Sequence, residues 1–152
     1  MIHSFESTYK CSKMKLIFSY IPTGRHTGDF FLDTWRIVSF LESDTIRHDS
    51  KYRITFGSYL EDFDNIRVVA LILKSIDNIE NNLSEMEDIS SRSFTAIAIK
   101  DSVTINFTIA DDDNPNWPTE KATIKEVKAA LEGCKRFLEM PESLDSVVEV
   151  YI

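Results

Sequence analysis

Residues 111–118 read Asp111-Asp112-Asp113-Asn114-Pro115-Asn116-Trp117-Pro118, three carboxylates in a row with a tryptophan close behind. Calcium is the first chemistry such a run could serve, because this hard cation takes alternating oxygen ligands from one short loop. Asp112, Asn114 and Asn116 do alternate, but Trp117 stands where that loop needs glycine and Thr123 where it needs a bidentate glutamate. No metal site is expected, and no cofactor has a motif here. Two readings stay open. In one, the carboxylates are solvated near the positive end of a following helix and Trp117 caps the core. In the other, Asp111, Asp112, Asp113 and Trp117 form a recognition loop, the aromatic ring anchoring a partner and the carboxylates selecting a basic one.

A second set of reactive groups pairs Arg25-His26 and Asp29 with Arg47-His48-Asp49. If the two stretches meet, His26/Asp29 and His48/Asp49 could supply the general acid and base of a small enzyme. The same residue types also populate ordinary solvated loops. Gly24 and Gly28 do not make a phosphate-binding loop, since no Gly-Lys-Ser/Thr follows them. Cys11 and Cys134 lack any Cys-x-x-Cys or Cys/His ligand spacing, so both read as free thiols, with Cys134 on the inward stripe of a helix.

The elements that would position these groups follow from hydrophobic period. Residues 14–20 read as a strand and residues 22–29 as a loop. Residues 33–41 are rich in β-branched and aromatic types, although Phe31, Trp35, Val38 and Leu41 also sit at helical spacing. Strand is the reading adopted. Tyr52, Ile54 and Phe56 alternate with Arg53 and Thr55, which predicts a half-buried strand over 51–57. Val69, Ile72, Ile76, Ile79, Leu83 and Met86 then recur at steps of three and four, an amphipathic helix with Asp62 or Asp64 as its cap. Arg67–Lys74 could alternatively be a buried strand, but the stripe continues past it.

Phe94–Lys100 and Val103–Ala110 read as a hairpin closed by Asp101-Ser102. Thr123-Ile124-Lys125-Glu126 matches a capping box, and Ile124, Val127, Leu131, Cys134 and Leu138 form the stripe of a second helix ending before Pro141. Residues 147–152 close the chain as a strand. The order βββ-α-ββ-α-β predicts an α+β fold, a mainly antiparallel sheet with two amphipathic helices. Residues 1–13 are read as a poorly ordered leader and 14–152 as a single domain, a size that can bury a core without disulfides or metals.

Charge is unevenly placed. Residues 1–60 carry eight Lys/Arg against six Asp/Glu, whereas residues 61–152 carry nine against nineteen, so the net charge of −8 belongs to the second part. A clustered acidic field repels phosphates and attracts cationic partners, which disfavours nucleic acid. The cations that do gather, Lys121, Lys125, Lys128, Lys135 and Arg136, are interleaved with Glu120, Glu126, Glu132 and Glu139 as on a solvated helix face. The longest apolar run, Val68–Leu73, is far too short to cross a bilayer, and the first dozen residues lack the apolar stretch of a secretory signal. A cytoplasmic location without membrane contact is expected.

A small acidic domain without a catalytic motif, carrying Asp111-Asp112-Asp113 and Trp117 in its acidic half, resembles the toxin-immunity proteins that bacteria make against their own toxins. The resemblance implies stoichiometric binding to a basic protein partner, a toxin domain whose active site or substrate groove it would cover. It implies no particular fold and no residue-by-residue site. The alternatives are the small enzyme built on the two His/Asp pairs, and a non-toxin adaptor or subunit with an acidic docking face.

Overall fold

The computed structural model describes residues 14–27, 31–42, 45–47, 53–108 and 118–152. They form an α+β fold with two antiparallel sheets and three helices among the described residues. The first sheet has strands β1 (Lys15–Thr27), β2 (Phe31–Glu42), β3 (Thr45–Arg47) and β8 (Val147–Tyr151) in the order β3-β2-β1-β8. The second is a meander of β4 (Met86–Asp88), β5 (Phe94–Ile99), β6 (Ser102–Phe107) and β7 (Glu120–Thr123). Helix α1 (Ile54–Glu61) touches β2 of one sheet and β6 and β7 of the other, and α3 (Ile124–Leu138) touches β1 and β8 as well as β6 and β7. Helix α2 (Ile66–Glu80) lies on β4, β5 and α3.

The helices thus share one core with the inner faces of both sheets. Leu16, Phe18, Phe40 and Val150 enter it from the first sheet, and Ala96, Ala98, Val103 and Ile105 from the second. Small side chains set the spacing. Gly57 of α1 faces the Phe40 ring, and Gly133 of α3 faces Val150 and Phe18, where a Cβ would land 2.3 Å from Val150 Cγ2. No helix among the described residues is long and apolar enough to cross a membrane.

Several details differ from the sequence reading, which has neither β3 nor β4 as a strand. Residues 54–61 are helical rather than a strand, because Phe56, Tyr59, Leu60 and Phe63 continue the apolar pattern at helical spacing and all four are buried. The chain enters α1 through Arg53 in the left-handed region at φ 48°, with its guanidinium 2.7 Å from Glu126 Oε2 and stacked over the Phe56 ring. Second, α2 is capped by Asn65, whose side chain accepts the Arg67 N–H at 2.8 Å, and it stops at Glu80 instead of running to Met86. Asn82 then turns the chain at φ 57°. Third, β1 continues through Pro22 to Thr27; pairing passes from Pro22 opposite Thr34 to His26 opposite Leu32, so two extra residues bulge out where proline lacks an N–H to donate. Fourth, β7 joins the hairpin as an additional strand, and the β5–β6 turn is Lys100–Asp101, one residue earlier than read.

The capping box at the start of α3 is as the sequence reading has it. Thr123 Oγ1 accepts the Glu126 N–H at 3.0 Å, and Glu126 Oε1 accepts the Thr123 N–H at 2.9 Å.

Candidate functional site

Asp111, Asp112, Asp113 and Trp117 lie outside the described residues, as do Asp29, His48 and Asp49. The two segments that flank the Asp/Trp stretch in sequence are described. On the leaving side, the Thr108 N–H donates to Ser93 O at 2.8 Å, and Ser93 N–H in turn donates to Asp62 Oδ2 at 2.8 Å. On the returning side, Thr55 Oγ1 donates to Pro118 O and Thr119 Oγ1 to Asn106 Oδ1. Both roots therefore sit at one end of the second sheet. A cleft of about 190 Å³ opens at the same end, lined by Asp62, Asp64, Asn65, Val68, Ser91 and Arg92.

Of the two His/Asp stretches only the strand positions of His26 and Arg47 are described. His26 stands opposite Leu32 and Arg47 opposite Phe40, eight residues along β2 and roughly 26 Å at about 3.3 Å per residue. Cys134, the other reactive group, is packed inside α3, where burial pushes its thiol up to about 12. A thiol held there is no nucleophile near neutrality. Among the described residues no group of three His, Cys, Asp or Glu side chains is placed to hold a metal ion.

Many carboxylates of the acidic part are committed to the fold. Glu126 serves the capping box and Arg53 together; burial pushes its carboxyl up, but the Thr123 N–H and Arg53 outweigh that and hold it below the ordinary value. Glu120 accepts the Phe56 N–H at 3.1 Å, and burial raises it against the pull of Arg53. Glu61 accepts the Val38 N–H at 2.8 Å and is likewise raised by burial. Glu80 and Asp77 share Lys128. These groups tie elements of the fold together.

The carboxylates around β4 are arranged differently. Asp88 takes both the hydroxyl and the N–H of Ser90, which lower it and keep it ionised, while Glu85 is exposed and Glu87 accepts from Asn78 Nδ2 at 3.2 Å. Between them stand apolar side chains that the interior does not use. Leu83 is 75% exposed, Met86 65% and Ile99 47%. Met86 lies opposite Ile99 and Asp88 opposite Ile97, so they share the outer face of the sheet, away from Ala96 and Ala98 in the core. As the edge of its sheet, β4 also turns one row of backbone groups away from any strand neighbour among the described residues.

Leu83 and Met86 were assigned by sequence to the buried stripe of α2. The signal against that assignment is Asn81-Asn82, a pair suited to ending a helix in the left-handed region. Comparison with known proteins adds no relative: the chain matches no family model, no curated protein and no solved structure.

Proposed function

We propose that this chain is a non-catalytic acidic binding protein that neutralises a basic protein partner, a toxin domain in the manner of immunity proteins, by stoichiometric binding. The observation that carries the reading is the exposed trio Leu83, Met86 and Ile99 set among Glu85, Glu87 and Asp88 at the edge of the second sheet. Apolar side chains that leave water on contact supply binding energy, while surrounding carboxylates select a cationic surface and accelerate encounter. Strand β4, with no strand neighbour on its outer side among the described residues, further offers backbone hydrogen bonds to an extended segment. The sequence Asp111-Asp112-Asp113 with Trp117 would add a second acidic element and an aromatic anchor in the same half of the chain.

The test uses the product of the neighbouring reading frame as partner. Toxicity of that product should be relieved by the wild-type chain in equimolar amount. Leu83→Ala with Met86→Ala should weaken the complex by ~2 kcal/mol or more while the fold melts as before, because both side chains lie outside the core. His26→Ala and His48→Ala should protect as well as wild type does. A folded His variant that loses protection, or turnover of a substrate at catalytic amounts, would replace this reading with the enzyme.

A further inference from the structure

We propose that Met86 and Asp88 hold an extended basic segment of the partner by their main-chain groups, so that it joins the second sheet as an added strand beside β4. The choice of a basic partner rests on the function proposed for this chain; strand geometry determines how the segment is held. Ile89 N–H donates to Ala96 O at 2.8 Å and Ser91 N–H to Phe94 O at 2.9 Å, continuing the register in which Glu87 lies opposite Ala98. Antiparallel residues alternate between those that bond across the pair and those whose main-chain groups point away from it. Glu87 and Ile89 therefore face β5, whereas the N–H and C=O of Met86 and Asp88 point outward from the edge. Neither of these N–H groups meets an acceptor among the described residues. The Met86 carbonyl takes the Ser84 hydroxyl at 2.9 Å and keeps a second lone pair.

Sheets commonly blunt such an edge with lysine, proline or a bulge. Residues 83–90 contain neither lysine nor proline, and β4 pairs with β5 without a register shift. Leu83, Glu85, Met86 and Asp88 are all exposed, so the edge is open at its centre as well as at its ends. An added strand is the partner that such a row of groups fits.

The side chains of β4 specify what the segment must carry. Met86 and Asp88 project on the outer face of the sheet beside Ile99 and Ile97, while Glu87 projects on the other, where Asn78 Nδ2 donates to it. A segment running antiparallel to β4 meets Asp88 first and Met86 two residues later. Lysine or arginine suits the first position and an apolar residue the second. With Glu85, the edge sets three carboxylates against Lys100, the cation that follows β5. The same charges argue against a second copy, because two β4 edges paired together would bring like charges face to face on molecules of net charge −8.

The probe is a disulfide-cyclised hairpin peptide with Thr-Lys-Thr-Val-Thr on its open arm, since cyclisation holds the strand ready and lowers the entropic cost of adding it. Titrated into the full chain labelled for amide NMR, it should shift the Met86 and Asp88 amide signals and slow their hydrogen exchange ~10-fold or more. A peptide with glutamate in place of lysine, or one N-methylated at the lysine and valine amides, should bind ~5-fold or more weakly. Met86→Pro removes an N–H that β5 does not use, so the chain should melt as wild type does yet lose ~5-fold in affinity beyond Met86→Ala. Equal binding by the N-methylated peptide, or shifts confined to residues away from β4, would overturn strand addition even if Met86→Pro does not fold. Protection of the same two amides in the free chain at high concentration would assign the edge to a second copy and overturn it too. The two readings fail separately. A chain that relieves toxicity but leaves the peptide unbound loses strand addition alone, whereas one that takes the peptide at β4 and relieves no toxicity loses the toxin partner alone.

Discussion

Glu120 and Glu126 sit on either side of Arg53, yet their protonation is pushed in opposite directions. The difference lies in what each gains in the folded state. Glu126 accepts the Thr123 N–H and the Arg53 guanidinium, contacts that favour its charged form despite partial burial. For Glu120 the loss of water outweighs Arg53 and the backbone N–H groups. The consequences for stability have opposite signs. A carboxyl raised in the folded state stabilises fully below its ordinary pKa and loses that contribution as pH rises through the raised value. A carboxyl held low stabilises above its ordinary pKa and loses the contribution as pH falls through the depressed value. Glutamine keeps the acceptor oxygen but never ionises. Glu120→Gln should therefore gain stability relative to wild type between about pH 4 and about pH 7, while Glu126→Gln should lose it over the same interval. Denaturant midpoints of the three proteins across that range check both signs, and parallel curves would mean that neither group is perturbed by folding.

At the scale of elements, α3 is set against β8 by an absent side chain. On an exposed helix, replacing glycine by alanine gains about 1 kcal/mol of propensity. At Gly133 the new Cβ meets Val150 Cγ2 at 2.3 Å and Phe18 Cε2 at 3.3 Å, and overpacking of that kind costs about 1–3 kcal/mol. The clash wins, so Gly133→Ala should destabilise, and adding Val150→Ala should recover part of the loss as non-additivity in a double-mutant cycle. Simple additivity would refute the contact.

The elements also show where sequence sufficed. Where a stripe and its cap agreed, as for Thr123 and Ile124 through Leu138, the sequence marked the helix, with Thr119 as the other start it allowed. Where the apolar residues continued past a helix end, as at Leu83 and Met86, period alone extended the helix and hid the exposed side chains that now make the candidate surface. Residues 54–61 were missed for the converse reason, because two turns bounded by Arg53 and Asp62 hold too few apolar repeats to outweigh a short alternation. Trp35 belongs to the same lesson. Its strand is apolar on both faces, and no local pattern states which face the helices will cover.

For the whole molecule, the net charge of −8 is divided by folding into carboxylates that hold elements together and carboxylates that remain at the surface. Those that remain should act at long range and before contact, because an exposed charge contributes little to a final complex but steers its approach. Two sets can be compared. One is Glu85, Glu87 and Asp88, in and next to β4; the other is Asp111, Asp112 and Asp113, which follow Thr108 and precede Pro118 in the sequence and lie outside the described residues. Neutralising either set to Gln or Asn should slow association with a basic partner by ~10-fold at low ionic strength and flatten its dependence on salt. Dissociation should change little, in contrast to Leu83→Ala with Met86→Ala, which should shorten the lifetime of the complex and leave the association rate nearly unaltered. Because steering reflects the summed field, the two charge sets should combine additively in the logarithm of the association rate. Stopped-flow association at several ionic strengths measures this directly. If both charge variants associate as fast as wild type and with the same salt slope, the acidic half is not the approach surface, and the partner is recognised elsewhere on the molecule.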